Sequence, residues 1–558
     1  MTTPAQLADD LIAAMFDARP IDATLVGLRD RDDRLPDYGV AGDEDQRGRL
    51  QAILDRAREL DAESLDHGDR LNRDVVIHQA SGLLEHLDAR AVEYTVADSF
   101  FSSTAELLIM LPRVGIADRA HADGYLARLA GLPTVLEAIA ERHRSGIGAG
   151  LLPVRHLVEA TVDFLDRYLA APDDDPLRQP EPPAEADVDL AGFRAERDRL
   201  LAEVVRPAFR RYRDVLATEV VPSGRDMDHP GLSWLPGGDA IYAGLARAHT
   251  TTSRTPEELH ETGLRLIEDL KREYAEIGGR VFGTDDVTEI FERLRTDPAL
   301  LWSSGEEMVT EARAAIARAE KVAPAWFNRM PAESCAVEAV PESEAPGAPI
   351  AYYMSPALDG SRPGTYFVNT HRAEERARTT SEAVAFHEAV PGHHFQIALA
   401  LELTDLPLLR RLAPFNAYLE GWGLYTERLA EEMGLYSGDL DRLGMLTQDA
   451  MRAGRLVVDT GLHAKGWSRQ QAIDYLRTNT AMSASEIESE VDRYITAPGQ
   501  ALSYMVGRLE IQRIRAAAEE ALGDRFDIRA FHDTVLSDGP LPLEVLDRVV
   551  REWVDSQR

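Results

Sequence analysis

Three histidines and a glutamate fall within eight residues, His387-Glu388-Ala389-Val390-Pro391-Gly392-His393-His394, inside the apolar run SEAVAFHEAVPGHHFQIALALEL. A His-Glu pair followed closely by further histidine is the local signature of a zinc hydrolase. Two imidazoles hold the ion, and the glutamate acts on water at it. In the common spacing the second histidine stands four residues after the first, and here that position is Pro391. On an ideal helix His393 would be rotated ~240° from His387 and ~9 Å along the axis. His394 would return to the face, but ~10.5 Å away. Zn–N bonds are only ~2.0–2.1 Å, so neither reaches an ion on a regular helix. Proline removes a backbone donor and clashes with the preceding turn, and glycine tolerates unusual dihedrals. A distortion at Pro391-Gly392 could therefore bring His393 or His394 beside His387.

A third ligand must come from another element. Glu420, in NAYLEGWGLYTERLAEE, is a carboxylate in an apolar-rich helical segment 26 residues after His394. Two antiparallel helices joined near TDLP would place it opposite the histidines. Glu427, two turns on along the same face, is the fallback. Gly421 and Gly423 argue against an ordinary surface helix, because each lowers helix stability. Farther on, Asp459 and His463 lie four apart on one helix face, as do Tyr504 and Arg508. An Asp–His pair could orient an imidazole or steady a metal ligand.

The elements that position these residues are mostly helices. Thr379-x-x-Glu382 has the capping-box pattern just before the signature, which sets His387 about two turns into a helix. Helical spacing recurs at 5–18, in several long patterns between 44 and 170, at 190–218, and from 379 to the C-terminus. Thr255-Pro256-Glu257-Glu258 opens a helix over 256–277, with others at 286–296 and 305–321. Residues 171–189, APDDDPLRQPEPPAEADVD, read as an exposed linker or long loop. They divide the chain into an N-terminal helical lobe, 1–190, and a lobe, 191–558, that carries the metal site. One β region stands out at 334–370, where SCAVEAV, PIAYYMSP and GTYFVNT alternate with turn residues. The expected fold is mainly α, one large helical unit with a small sheet beside the signature helix.

Composition narrows the function classes. The chain has 558 residues and a formal net charge of −35, spread along its length. Such a surface repels phosphate backbones and anionic membranes, so no nucleic acid and no membrane partner is expected. Cys335 is the only cysteine, which excludes an intramolecular disulfide and a cysteine-based zinc finger. No stretch approaches ~20 uninterrupted apolar residues, and the N-terminus lacks the basic start of a secretory signal. A cytoplasmic location is the resulting expectation. Nothing in the sequence fixes the oligomeric state, and a homodimer is left open.

Several motifs agree in order with one family. HEAVPGHH, YLEGWGLYTERL, VVDTGLHAKGW and RYITAPGQALSYMVG, with LDGSRPGTYFVNT and HTTTSRTPEELH upstream, resemble the bacterial family catalogued as domain of unknown function 885. The likeness extends over nearly the whole chain. That family is similar to Taq-type zinc carboxypeptidases and other helical peptidases of the gluzincin group. The resemblance implies a helical fold with a deep cleft and a small edge sheet beside the metal. It implies one zinc ion on His387, His393 and Glu420, with His394 as the alternative second histidine and Glu388 as general base. Tyr504, then His463, would stabilise the oxyanion, and Arg493 or Arg508 would grip a peptide carboxylate. The strand GTYFVNT could hold an extended peptide by edge pairing. The expected activity is hydrolysis of short peptides or related amides, with carboxypeptidase action first. The competing reading is a non-catalytic helical binding protein with a structural or vestigial metal site. A di-iron bundle ranks below both, because Glu257-x-x-His260 has no partner motif.

Overall fold

The computed structural model describes residues 2–342, 345, 349–360 and 362–558. It is mainly α, with one three-stranded sheet. Helices follow the apolar spacing closely. The pattern at 5–18 folds as Pro4–Ala18, and those within 44–170 include Val40–Glu59, His67–Ala89 and Arg155–Ala170. The Thr255 capping box forms in full, opening α1 (Pro256–Phe282). The segment expected at 305–321 is α2 (Gly305–Val322).

The apolar cores do not divide at residue 190. Leu7, Leu54 and Val75 share a core with Phe386, Trp422 and Val550, so the first helices pack onto the C-terminal part of the chain. A separate cluster gathers Ile21 and residues from Val96 to Val220. The stretch 171–189, expected as an exposed linker, is pinned at its centre. Leu177 is fully buried and its carbonyl accepts from Tyr125 Oη. Asp175 accepts from Tyr168 Oη at 3.0 Å and from Arg206 at 2.8 Å. The rest of the stretch is a mostly exposed long loop, as its composition reads, with one short turn at Pro176–Arg178.

The sheet comprises β1 (Ala336–Ala339), β2 (Ala351–Met354) and β3 (Thr365–Val368), in the order β1-β3-β2. β3 pairs parallel with β1 and antiparallel with β2. It is therefore the central strand, and GTYFVNT has no edge to offer a peptide. β2 has one. Asn369 N–H donates to Ile350 O, which sets the ladder so that Ala351 and Tyr353 turn their backbone groups away from β3.

Behind the sheet the chain forms α3 (Ser381–Glu388), α4 (His393–Glu402), α5 (Asn416–Glu432), α6 (Asp439–Ala464), α7 (Ala484–Thr496) and α8 (Leu502–Leu522). The Thr379–Glu382 capping box does not form, because α3 starts with no side-chain cap. Glu382 instead accepts from Arg318 (2.6 Å) and from the Ser437 backbone (2.9 Å), a partly buried set of contacts that ties α3 to α2 and to the turn after α5. α5 and α8 approach at paired glycines. A Cβ on Gly421 would lie 2.5 Å from Gly507 Cα, and one on Gly507 would lie 1.8 Å from Ala417 O. This contact fixes the separation of the helices that carry Glu420 and Tyr504. We expect Gly507→Ala to lower the unfolding free energy by about 1–3 kcal/mol or more, since two backbones must separate. Gly279→Ala, exposed within α1 with nothing within 4 Å of the added carbon, should instead stabilise by about 0.5–1 kcal/mol. Denaturant unfolding of the two variants checks both signs.

Candidate metal centre

The signature is not one helix. α3 ends at Glu388, α4 begins at His393, and the Val390–Pro391 peptide between them is cis. Gly392 is required here, because a Cβ would lie 1.8 Å from His387 O and 2.4 Å from Phe386 O. Pro391 O accepts from Trp422 Nε1 at 2.9 Å, which ties the break to α5. The ring of His393 thereby comes beside that of His387, with centroids 4.7 Å apart.

Glu420 closes the group. Its Oε2 lies 3.5 Å from His387 Nε2 and 3.3 Å from His393 Nε2. One ligand atom from each of the three residues lies within 4.8 Å of the others. Two ligand atoms on a tetrahedral zinc stand ~3.3 Å apart, given Zn–N and Zn–O bonds of ~2.0–2.2 Å. The residues present fit a single divalent ion of that size, and the two-nitrogen, one-carboxylate donor set suits zinc.

The supporting contacts come largely from α5. Glu427 serves as a partner of His387: its Oε1 accepts from His387 Nδ1 at 2.8 Å, which leaves Nε2 as the free ligand atom. Arg452 stands 3.7 Å from the same oxygen. Gly423 leaves room for the imidazole, since a Cβ there would come within 2.7 Å of the ring. Burial alone would lower the His387 pKa, but hydrogen bonds to Glu420 and Glu427 raise it to about 9. Glu420 moves the other way. Burial opposes its ionisation, yet His393 and His387 hold it well below the usual carboxylate range.

Glu388, the last residue of α3, is half-buried. Among the described residues nothing bonds or ion-pairs its carboxylate, yet its charge is felt at His387, Cys335 and Tyr366. Its carboxylate is therefore close enough to act electrostatically on His387 and on the side of the sheet.

His394 turns away from this group. Its Nδ1 accepts from Tyr353 Oη at 3.1 Å, and its Nε2 donates to Glu333 O at 3.0 Å, so both nitrogens are engaged in bracing α4 against the sheet. A catalytic or metal-holding role for it does not match that placement. His463 is likewise engaged. It is fully buried, Nδ1 accepts from Leu232 N–H and Nε2 donates to Tyr494 O. Burial pushes its pKa down to about 4. Asp459 is not its partner; it accepts from Tyr242 Oη (2.5 Å) and Gly499 N–H (3.1 Å). Arg508 is held by Asp449 beneath the site, together with Arg428. It is not available to a substrate.

Tyr504, on α8, lies near Glu420. Burial first, then the nearby Glu420 carboxylate, raise its pKa. Arg455 covers its ring at 4.4 Å and Arg493 approaches it at 5.8 Å. Glu490 bridges both guanidiniums, at 2.7 Å from Arg455 and 3.1 Å from Arg493. Glu490 had no sequence signal, because its grouping with Arg455 and Arg493 depends on the crossing of α6, α7 and α8. A cavity of about 330 Å³ lies elsewhere, lined by Gly150, Arg155, Arg225 and Trp234, and none of the predicted site residues lines it.

The fold and the His-His-Glu group define a large helical protein with a candidate metal centre at a helix break. The chain belongs to the family described as "Bacterial protein of unknown function (DUF885)", which matches residues 20–550. It is similar to the solved structure of "the putative lipoprotein from Colwellia psychrerythraea", at 26% identity and a TM-score of 0.90 over 100% of both chains. It also resembles "a putative lipoprotein of unknown function from Shewanella oneidensis", at 19% identity over 99% of this chain and 100% of that one, with a TM-score of 0.75. The second likeness is one of fold alone. No curated protein matches the chain. Among the described residues no helix is long and apolar enough to cross a membrane. The names of the two neighbours lend no support to the cytoplasmic location expected from sequence.

Burial at Asp459 sets a pH dependence of stability. Burial raises its pKa to about 7, against an ordinary value of 3.8, despite its two hydrogen-bond donors. The folded state then holds a proton that the unfolded state has released. This contribution is complete below about pH 4, declines as pH rises, and is gone above about pH 7, a change on the order of 4 kcal/mol. Asp459→Asn should be less sensitive than the wild type over this range, measured as the difference in denaturation midpoint between pH 5 and pH 8.

Proposed function

We propose that this protein is a metal-dependent hydrolase of peptide or related amide bonds in short peptides, with zinc as its ion. The observation that carries this reading is the meeting of His387, His393 and Glu420, with Glu388, unengaged among the described residues, next to His387 in the chain and acting on it by charge. A purely structural site would have no use for that carboxylate. The likeness of the motifs to Taq-type zinc carboxypeptidases points the same way.

A zinc ion held by these three residues supplies Lewis-acid polarisation of a carbonyl and acidifies water. The rest belongs to the chain. Glu388 accepts the proton of the attacking water and returns it to the leaving amine. Tyr504 Oη–H donates to the carbonyl oxygen as its negative charge develops. Glu427 keeps the proton of His387 on Nδ1, so that Nε2 remains a ligand. Ala351 and Tyr353, on the free edge of β2, take over the peptide-pairing role that central β3 lacks. Arg493, whose side chain is 21% exposed, takes the terminal carboxylate.

Glu388→Gln should lose turnover by about 100-fold or more while keeping one zinc per chain by elemental analysis. Undiminished cleavage of a peptide mixture by that variant would sink the mechanism. Glu427→Gln should weaken zinc binding by about 10- to 100-fold, read by competition with a chelator, whereas His394→Ala should retain zinc. Zinc lost from the His394 variant and kept by a His393→Ala variant would reverse the ligand assignment.

A further inference from the structure

The Arg493 side chain is approached from the N-terminal half of the chain by Phe101. Residues Thr95–Ser102 form a loop whose base is fixed, with Val96 and Ala97 buried and Ser102 N–H bonded to Ser99 O at 2.9 Å. Its tip carries Phe100 and Phe101, with ring centroids 4.2 Å apart. Phe100 is 49% exposed, unusual for a large apolar side chain on so acidic a surface. Phe101 covers the Arg493 guanidinium at 5.8 Å, while Tyr494 and Tyr504 flank it at 5.9 and 5.8 Å. Arg493 and Arg455 share one carboxylate, Glu490. Arg455 Nη1 is buried with no hydrogen-bond partner among the described residues. The group therefore offers a cation for an anion and, directly beside it, an exposed aromatic surface.

We propose that Phe100 and Phe101 form the wall that receives the side chain of a substrate's C-terminal residue, selecting peptides that end in an aromatic or large apolar residue. This rests on the amide-hydrolase reading and on Arg493 as the carboxylate's partner. The geometry requires the two contacts together. A carboxylate on Arg493 places the side chain of its own residue within reach of the phenyl pair, and covering Phe100 removes apolar surface from water. The same exposed pair would serve a lipid surface, but a chain of net charge −35 is repelled by anionic bilayers.

The test compares N-acetylated tripeptides ending in Phe, Ala or Asp, as free acids and as amides, on the zinc-loaded wild type and on Phe100→Ala and Phe101→Ala. The expected kcat/KM for the Phe acid exceeds that for the Ala acid by about 10- to 100-fold, mostly through KM. The Asp acid should be poorest, and both variants should bring the Phe/Ala ratio toward unity. Calorimetry of the same peptides on Glu388→Gln gives a readout independent of turnover. Phe-selective binding that Phe100→Ala abolishes upholds the wall even if nothing is cleaved, in which case only the hydrolase reading fails. Equal use of Phe and Ala acids, a ratio unchanged in both variants, or equal binding of acid and amide overturns the proposal. So does Phe100-dependent sedimentation with phosphatidylcholine vesicles without discrimination among peptides, and so does an absence of both cleavage and binding.

Discussion

His387 is gripped at both ring nitrogens by one helix. Glu427 takes Nδ1 and Glu420 stands at Nε2, two turns apart on α5. The rest of the site depends on that arrangement. The imidazole cannot rotate or exchange tautomers without breaking a buried charge-assisted hydrogen bond, so the direction of its lone pair is set before any ion arrives. The spacing of Glu420 and Glu427 gives one carboxylate to the ligand group and one to its support, and Gly423 between them leaves space for the ring. Removing either carboxylate would leave the other, with its histidines, in a buried site with unbalanced charge, a more serious loss than one hydrogen bond.

The second constraint is the break between α3 and α4. A regular helix keeps His387 and His393 far apart and on different faces. Ending one helix at Glu388 and starting another at His393 removes both obstacles. It also gives Glu388 a helix terminus, where its carboxylate is free of the packing that buries Phe386 and His387. Gly392 is the residue this geometry cannot replace, because the Phe386 and His387 carbonyls occupy the place of any side chain. The adjacent histidine is then turned the opposite way, toward Tyr353, so one backbone feature assigns different work to two neighbouring histidines.

Much of this was legible in the residues, and the limits were physical. Helical spacing and the capping box at Thr255 are local properties and appear in the fold as read. The departure from the usual histidine spacing announced a distorted turn, since proline and glycine have few other uses inside an apolar helix. The direction of that turn was not local. It depends on Trp422 reaching Pro391 O and on Tyr353 capturing His394, contacts across 31 and 41 residues. The Thr379–Glu382 cap failed for the same reason, because Arg318 and Ser437 outcompeted the helix start for the carboxylate. Pairs read from helix spacing alone fared worst. Asp459 and His463 share a face, yet each bonds to a different neighbour, and Arg508 was already committed to Asp449.

That contrast bears on how a site can be inferred from one chain. Spacing along a helix says which side chains point together, but not which groups meet them from the facing element. A buried polar group takes whichever partner satisfies it best, and in a helical protein of this size most such partners are remote in sequence. The His-His-Glu group escapes this uncertainty because a small ion needs its ligands convergent within a few ångströms, a demand that few alternative arrangements meet. Arg493 and Tyr504 lie between these cases. Their neighbours Arg455, Glu490 and Phe101 come from three different elements, so the chemistry of each was readable while their assembly was not. The charge of that assembly, two guanidiniums on one carboxylate, is a property of the fold rather than of any motif.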